Sequence, residues 1–147
     1  MSSMFRDLFS DEDYGQDQEV SMSKLAGGPG SGVKGYNTAH IGSYPKSPYV
    51  SVGTRKALLD NMDYHKDEIS LSDVSHVAQD KFVPDKLQEM LRKPEILDYK
   101  PIDVLMVGDK YHVVDGHHRF LAAIILGKQK LHANVRVKAE KTMNDHK

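Results

Sequence analysis

The chain has 147 residues, room for one ordinary domain with its own core and too little for two. A formal net charge of -1 excludes a global field that would hold the protein on nucleic acid or an anionic membrane, so any polyanion contact must be local. Cysteine is absent, which excludes disulfides, thiolate metal ligands and a cysteine nucleophile.

Residues 1–52 alternate acidic residues, serines and glycines and read as a flexible N-terminal arm. Its small apolar cluster of Met4, Phe5, Leu8 and Phe9 has roughly helical spacing, suited to docking on a partner or on the domain itself. Within the arm, residues 26–35 have the composition of a linker. Gly30-x-Gly32-x-x-Gly35 has the spacing of a dinucleotide-binding loop, but Pro29 precedes it and no helical periodicity follows. The Walker pattern fails as well, because Gly35 stands where Ser or Thr should coordinate magnesium. No stretch approaches the roughly 20 apolar residues needed to cross a bilayer, and the start is acidic and polar. The expectation is a chain that is neither secreted nor membrane-spanning.

Residues 53–138 read as the folded domain. A short helix is expected over 55–62, with Ala57, Leu58 and Met62 inward. Residues 68–74 alternate polar and apolar positions, the period of a half-buried strand. Pro84 opens a helix in which Leu87, Met90 and Leu91 recur at helical spacing, and Pro94 bounds it. Two strands, 102–107 and 110–114, are joined by the two-residue turn Gly108-Asp109. A helix follows from His117 to Leu126, its core stripe made of Phe120, Leu121, Ile124 and Ile125 and its C-terminal cap of Gly127. In the last strand, Leu131, Ala133, Val135 and Val137 face inward while His132, Asn134, Arg136 and Lys138 form a wet face. A polar tail occupies 139–147. The fold class implied is α/β, an α+β domain on a mixed sheet.

The chemistry concentrates at Asp115-Gly116-His117-His118-Arg119, where a strand turns directly into a helix. The first N–H groups of a helix lack intrahelical partners and point out of one end, where the dipole also favours an anion. Gly116 permits close approach to the backbone, and Arg119 offers a planar, always charged fork for phosphate oxygens. His117 and His118 add donors or titrating proton carriers, candidates for general acid and base. The bland alternative is that Asp115 caps the helix while both histidines and Arg119 sit in solvent or pair with nearby carboxylates. A zinc site is disfavoured: neighbouring His117 and His118 point in different directions, no H-x-x-x-H spacing exists, and His112 faces sideways from its strand. A magnesium ion carried in with a nucleotide, with Asp115 as a candidate ligand, fits better.

The order of these elements resembles the ParB N-terminal domain: residues 69–74, Gln79, the helix with Leu87 and Leu91, Lys100-Pro101-Ile102, residues 111–123, and Leu126-Gly127 before a last strand. The resemblance covers about half the chain and implies a compact ParB/sulfiredoxin-like domain. In that family the turn carries a glycine, an acidic residue and two arginines, and it binds a nucleotide triphosphate or serves a nuclease. Gly116 and Arg119 match, while His117 replaces the glutamate and His118 an arginine. The length leaves no room for the helix-turn-helix and dimerisation domains, so a partition role is not expected. The sulfiredoxin branch is similar at Gly116, His118 and Arg119, but His117 stands where its catalytic cysteine belongs, which excludes sulfinic acid repair and leaves the holding of ATP phosphates. Free serine kinases look like this turn too, with Glu68 as the candidate for their catalytic glutamate. Small stand-alone relatives with such turns and glycine-rich arms imply a phage or mobile-element origin and a location in the bacterial cytoplasm.

Three functions follow as expectations. The first is binding of a nucleotide such as ATP, or of a nucleic-acid phosphate, at Gly116, His117, His118 and Arg119, extended to phosphodiester cleavage if His117 or His118 acts as acid or base. The second is a nucleotide-dependent kinase acting on a small metabolite. The third is a non-catalytic phage accessory or inhibitor protein that grips a host protein through the acidic residues 11–19.

Overall fold

A glycine that reaches positive φ without strain lets a chain reverse in two residues, and Gly108, at φ 64°, does so between two runs of β-branched and apolar residues. The hairpin it closes is the centre of the computed structural model, which describes residues 19–27, 36, 38, 41 and 44–138. In chain order the elements are β1 (Val20–Ser21), a 3₁₀ turn (Met22–Gly27), α1 (Arg55–Asn61), β2 (His65–Ser70), a 3₁₀ turn (Leu71–Asp73), β3 (Val74–Val77), β4 (Lys81–Phe82), α2 (Pro84–Arg92), α3 (Ile96–Tyr99), β5 (Ile102–Val107), β6 (Lys110–Asp115), α4 (His117–Ile125) and β7 (Lys130–Val137). The apolar cluster at Met4 to Phe9, the acidic residues 11–18, the loop at Gly30 to Gly35 and the tail 139–147 lie outside the described residues.

Five strands form one mixed sheet in the order β2-β7-β5-β6-β3. The β5–β6 and β2–β7 pairs are antiparallel, and the β5–β7 and β3–β6 pairs are parallel. The main core lies on one face, where Leu87 and Met90 of α2 and Phe120 and Leu121 of α4 meet Val104, Val113, Leu131 and Val135. On the other face Leu58, Leu59 and Met62 cover Leu105 and Val114, joined by Val50 and Ala78. A mixed sheet with helices on both faces is the α+β class expected.

Several expectations shift in detail. The strand expected over 68–74 is two: the 3₁₀ turn at Leu71–Asp73 breaks it, and β2 and β3 go to opposite edges of the sheet. The turn is pinned by the Leu71 N–H donating to Gln129 O (2.9 Å). In α1, Ala57 is exposed and the buried residue is Arg55. At the end of β7 the alternation fails: Arg136 is buried and Val137 exposed. Arg136 turns in because Asp103 meets it (Nη1 to Oδ1, 2.9 Å) while the carbonyls of Met62 and Leu59 accept from its Nε and Nη2.

The arm also contributes to the fold. Val20 and Ser21 pair antiparallel with Phe82 and Lys81, and Met22, Leu25 and Ile41 are buried in the main core. The Thr38 hydroxyl donates to Leu25 O (2.7 Å). Lys46 bridges to Val77, so residues 45–47 run beside the β3 edge. Packing therefore reaches well before the boundary at residue 52 that composition suggested.

Candidate functional site

Gly116 is the N-cap of α4 and sits in the left-handed region at φ 89°, ψ 32°. Its carbonyl accepts the first intrahelical bond, from the Phe120 N–H (2.9 Å). The N–H groups before Phe120 have no intrahelical acceptor, and no side chain caps the helix. Asp115 does not cap it; its carboxylate is held by Arg55 (Nη1 to Oδ1, 3.3 Å).

The Arg119 side chain folds back over Gly116. A Cβ on Gly116 would stand 2.7 Å from Arg119 Nη2 and 2.9 Å from Ile102 Cγ2, so the missing side chain is what makes room for the guanidinium. Arg119 is only 3% exposed, yet among the described residues its Nε and Nη1 have no hydrogen-bond partner and it joins no ion pair. A buried guanidinium is costly where its N–H groups give up water without an acceptor in exchange. Its place at the N-terminal end of a nine-residue helix makes an anion the chemical complement.

His117 and His118 are 0% and 1% exposed, so neither sits in solvent, as the bland alternative would have it. Expected as donors or proton carriers, both accept at Nε2. His117 Nε2 takes the N–H groups of Ala78 (3.2 Å) and Gln79 (3.3 Å), and His118 Nε2 takes that of Val83 (2.9 Å). Accepting at Nε2 requires that nitrogen to be deprotonated, which places the proton of each neutral ring on Nδ1. The two rings point in different directions, as consecutive helical residues must, and so clasp opposite ends of the loop between β3 and α2. This loop carries β4, the partner of β1. The histidines thus fasten to the turn a segment that residues 20–21 bind from another side.

One residue of this surround, Arg55, was missed from sequence, and Gln79, named above only for the resemblance, is its partner. Arg55, buried in α1, also donates to Gln79 Oε1 (3.3 Å) and Val114 O (3.5 Å). Gln79 in turn donates its side-chain amide to Lys81 O (3.0 Å). Nothing local in residues 55–61 marks Arg55 as inward, because its partners lie 24 to 60 positions away.

Other candidates are not brought to the turn. Glu68 is exposed on β2, opposite His132, with β7 and β5 lying between it and β6; at ordinary strand spacing that is about 14 Å. His112 is buried on β6, its ring stacked on His76 at 4.2 Å between centroids. Ser47 Oγ lies 2.7 Å from His112 Nδ1 and also accepts the N–H groups of Tyr49 and Val50, so its own hydrogen goes to the ring. Burial, then the neighbouring His76, push the His112 pKa down to about 4. Among the described residues no group of three His, Asp or Glu side chains is placed to hold a metal ion, and Asp115 offers a single carboxylate already engaged by Arg55.

Comparison with known proteins follows this geometry. The chain is similar to the crystal structure of sulfiredoxin from Arabidopsis thaliana, at 23% identity and a TM-score of 0.40, over 53% of this chain and 91% of that one. No curated protein matches it in sequence. A family model, the ParB N-terminal domain, matches residues 60–146, more than half of the chain and all of the strand–turn–helix that builds the site; the chain belongs to the ParB N-terminal domain family.

Proposed function

We propose that this domain binds the phosphate of a nucleotide at the turn from Gly116 to Arg119, where helical N–H groups and the Arg119 guanidinium converge. The observation that carries the reading is Arg119 itself: a buried cation, folded over a glycine, with two nitrogens that meet no acceptor among the described residues. A phosphate would supply several charged acceptors at once. A small ligand is favoured over a long polyanion because the net charge of -1 supplies no field to steer and hold nucleic acid.

The reading is one of binding. Cleavage of a phosphodiester by His117 or His118 would require a ring to exchange protons while its Nε2 is engaged by buried loop amides. A kinase reaction would require a base, and Glu68 is several strands away.

Thermal unfolding of the purified full chain with pyrophosphate, ATP and a single-stranded oligonucleotide tests this directly, since a ligand of the native state raises Tm by mass action. Pyrophosphate and ATP should raise Tm, and Arg119→Met should abolish the rise. An unchanged Tm with every compound, or an equal rise in the variant, overturns the reading. Magnesium-dependent cleavage of the oligonucleotide that disappears in His118→Ala would replace binding by catalysis.

A further inference from the structure

We propose that Arg55 is a charge-compensating residue of the anion site, drawing the Asp115 carboxylate towards α1 so that its negative charge does not oppose a bound phosphate. The proposal rests on the phosphate reading above. Asp115 is the residue before Gly116, so an ionised carboxylate is built into the very turn that would receive an anion. Left alone, such a charge would weaken binding, because like charges a few ångströms apart repel strongly where water is scarce.

Arg55 is placed to cancel it. Arg55 is 5% exposed although it belongs to a short helix at the surface of the domain, and its guanidinium reaches Asp115 Oδ1, Val114 O and Gln79 Oε1. The backbone N–H of that same Gln79 donates to His117 Nε2. Asp115, Arg55, Gln79 and His117 therefore form a closed circuit around Gly116. Across the hairpin, Asp103 stands opposite Asp115 and carries its own buried arginine, Arg136. Both carboxylates at this end of the hairpin are thus paired with buried arginines, one from α1 and one from β7, which leaves Arg119 as the cation at the turn without a carboxylate among the described residues.

A purely structural ion pair would not predict how affinity responds to charge. The test is titration calorimetry of the full chain with pyrophosphate, for wild type, Arg55→Gln, Asp115→Asn and the double variant. Arg55→Gln should weaken binding by about tenfold, the order expected for one uncompensated charge near the ligand. Adding Asp115→Asn to that background should return the affinity towards wild type. Asp115→Asn alone keeps an oxygen for Arg55 while removing the charge, so it should bind as tightly as wild type or tighter. Wild-type affinity in Arg55→Gln, or a double variant as weak as Arg55→Gln, overturns the role of Arg55. If Arg55→Gln does not fold, Asp115→Asn decides: weaker binding overturns the proposal. Failure of the folded wild type to bind pyrophosphate removes the phosphate reading itself, and this one with it.

Discussion

Arg119 is at once the least comfortable and the most informative residue. An unsatisfied buried cation lowers stability, so Arg119→Met, which keeps an apolar stem and removes the charge, should leave the unliganded protein as stable as wild type or more so by about 1 kcal/mol in urea unfolding. A large loss would mean the guanidinium is held by the fold and not kept for a ligand. Gly116→Ala should cost about 1–3 kcal/mol, since the new Cβ combines a positive φ with contacts under 3.0 Å to Arg119 and Ile102. His112 gives a pH dependence. Its folded pKa of about 4 lies below the ordinary 6.5, so the unfolded chain binds the extra proton between those values. Stability should fall as pH drops from about 6.5 to about 4, and His112→Asn should flatten that part of the profile.

At the level of elements, α4 does more than fill the core. Its first two residues fasten the loop between β3 and α2, so the loss of one ring nitrogen strands a buried amide. His118→Leu should cost about 1–3 kcal/mol and speed hydrogen exchange at Val83, whereas His118→Gln, which offers an oxygen in place of Nε2, should cost less. Equal loss in the two variants would show that packing and not the hydrogen bond matters. This clasp was legible in sequence only as a coincidence of polar residues at a helix start. The direction of the bonds was invisible, because the acceptors at 117 and 118 meet donors 35 to 39 positions earlier in the chain.

For the molecule as a whole, the boundary of the packed unit is the open point that a single substitution settles. Leu25 is fully buried, so Leu25→Ala should destabilise the protein by about 2–5 kcal/mol. A residue in an unpacked arm would change stability by less than about 0.5 kcal/mol. Composition pointed to an arm because residues 19–52 contribute few apolar side chains, spaced too irregularly to show a period. Burial needs only that each of those few meets a complementary surface, and Met22, Leu25, Ile41 and Val50 each do.

What the sequence determined by itself was local: the hairpin at Gly108-Asp109, the helices begun by Pro84 and His117, and the glycine-led turn from strand into helix at Gly116. Periodicity, proline and glycine act within a few residues and leave their mark in the chain. Tertiary structure decided the rest. It sent β2 and β3 to opposite edges, buried Arg55 and Arg136 against distant aspartates, and made the Nε2 atoms of His117 and His118 acceptors for a distant loop. Each of those outcomes depends on partners brought together only by folding, and a polar side chain carries no sign in its own neighbourhood of which charge or amide it will meet.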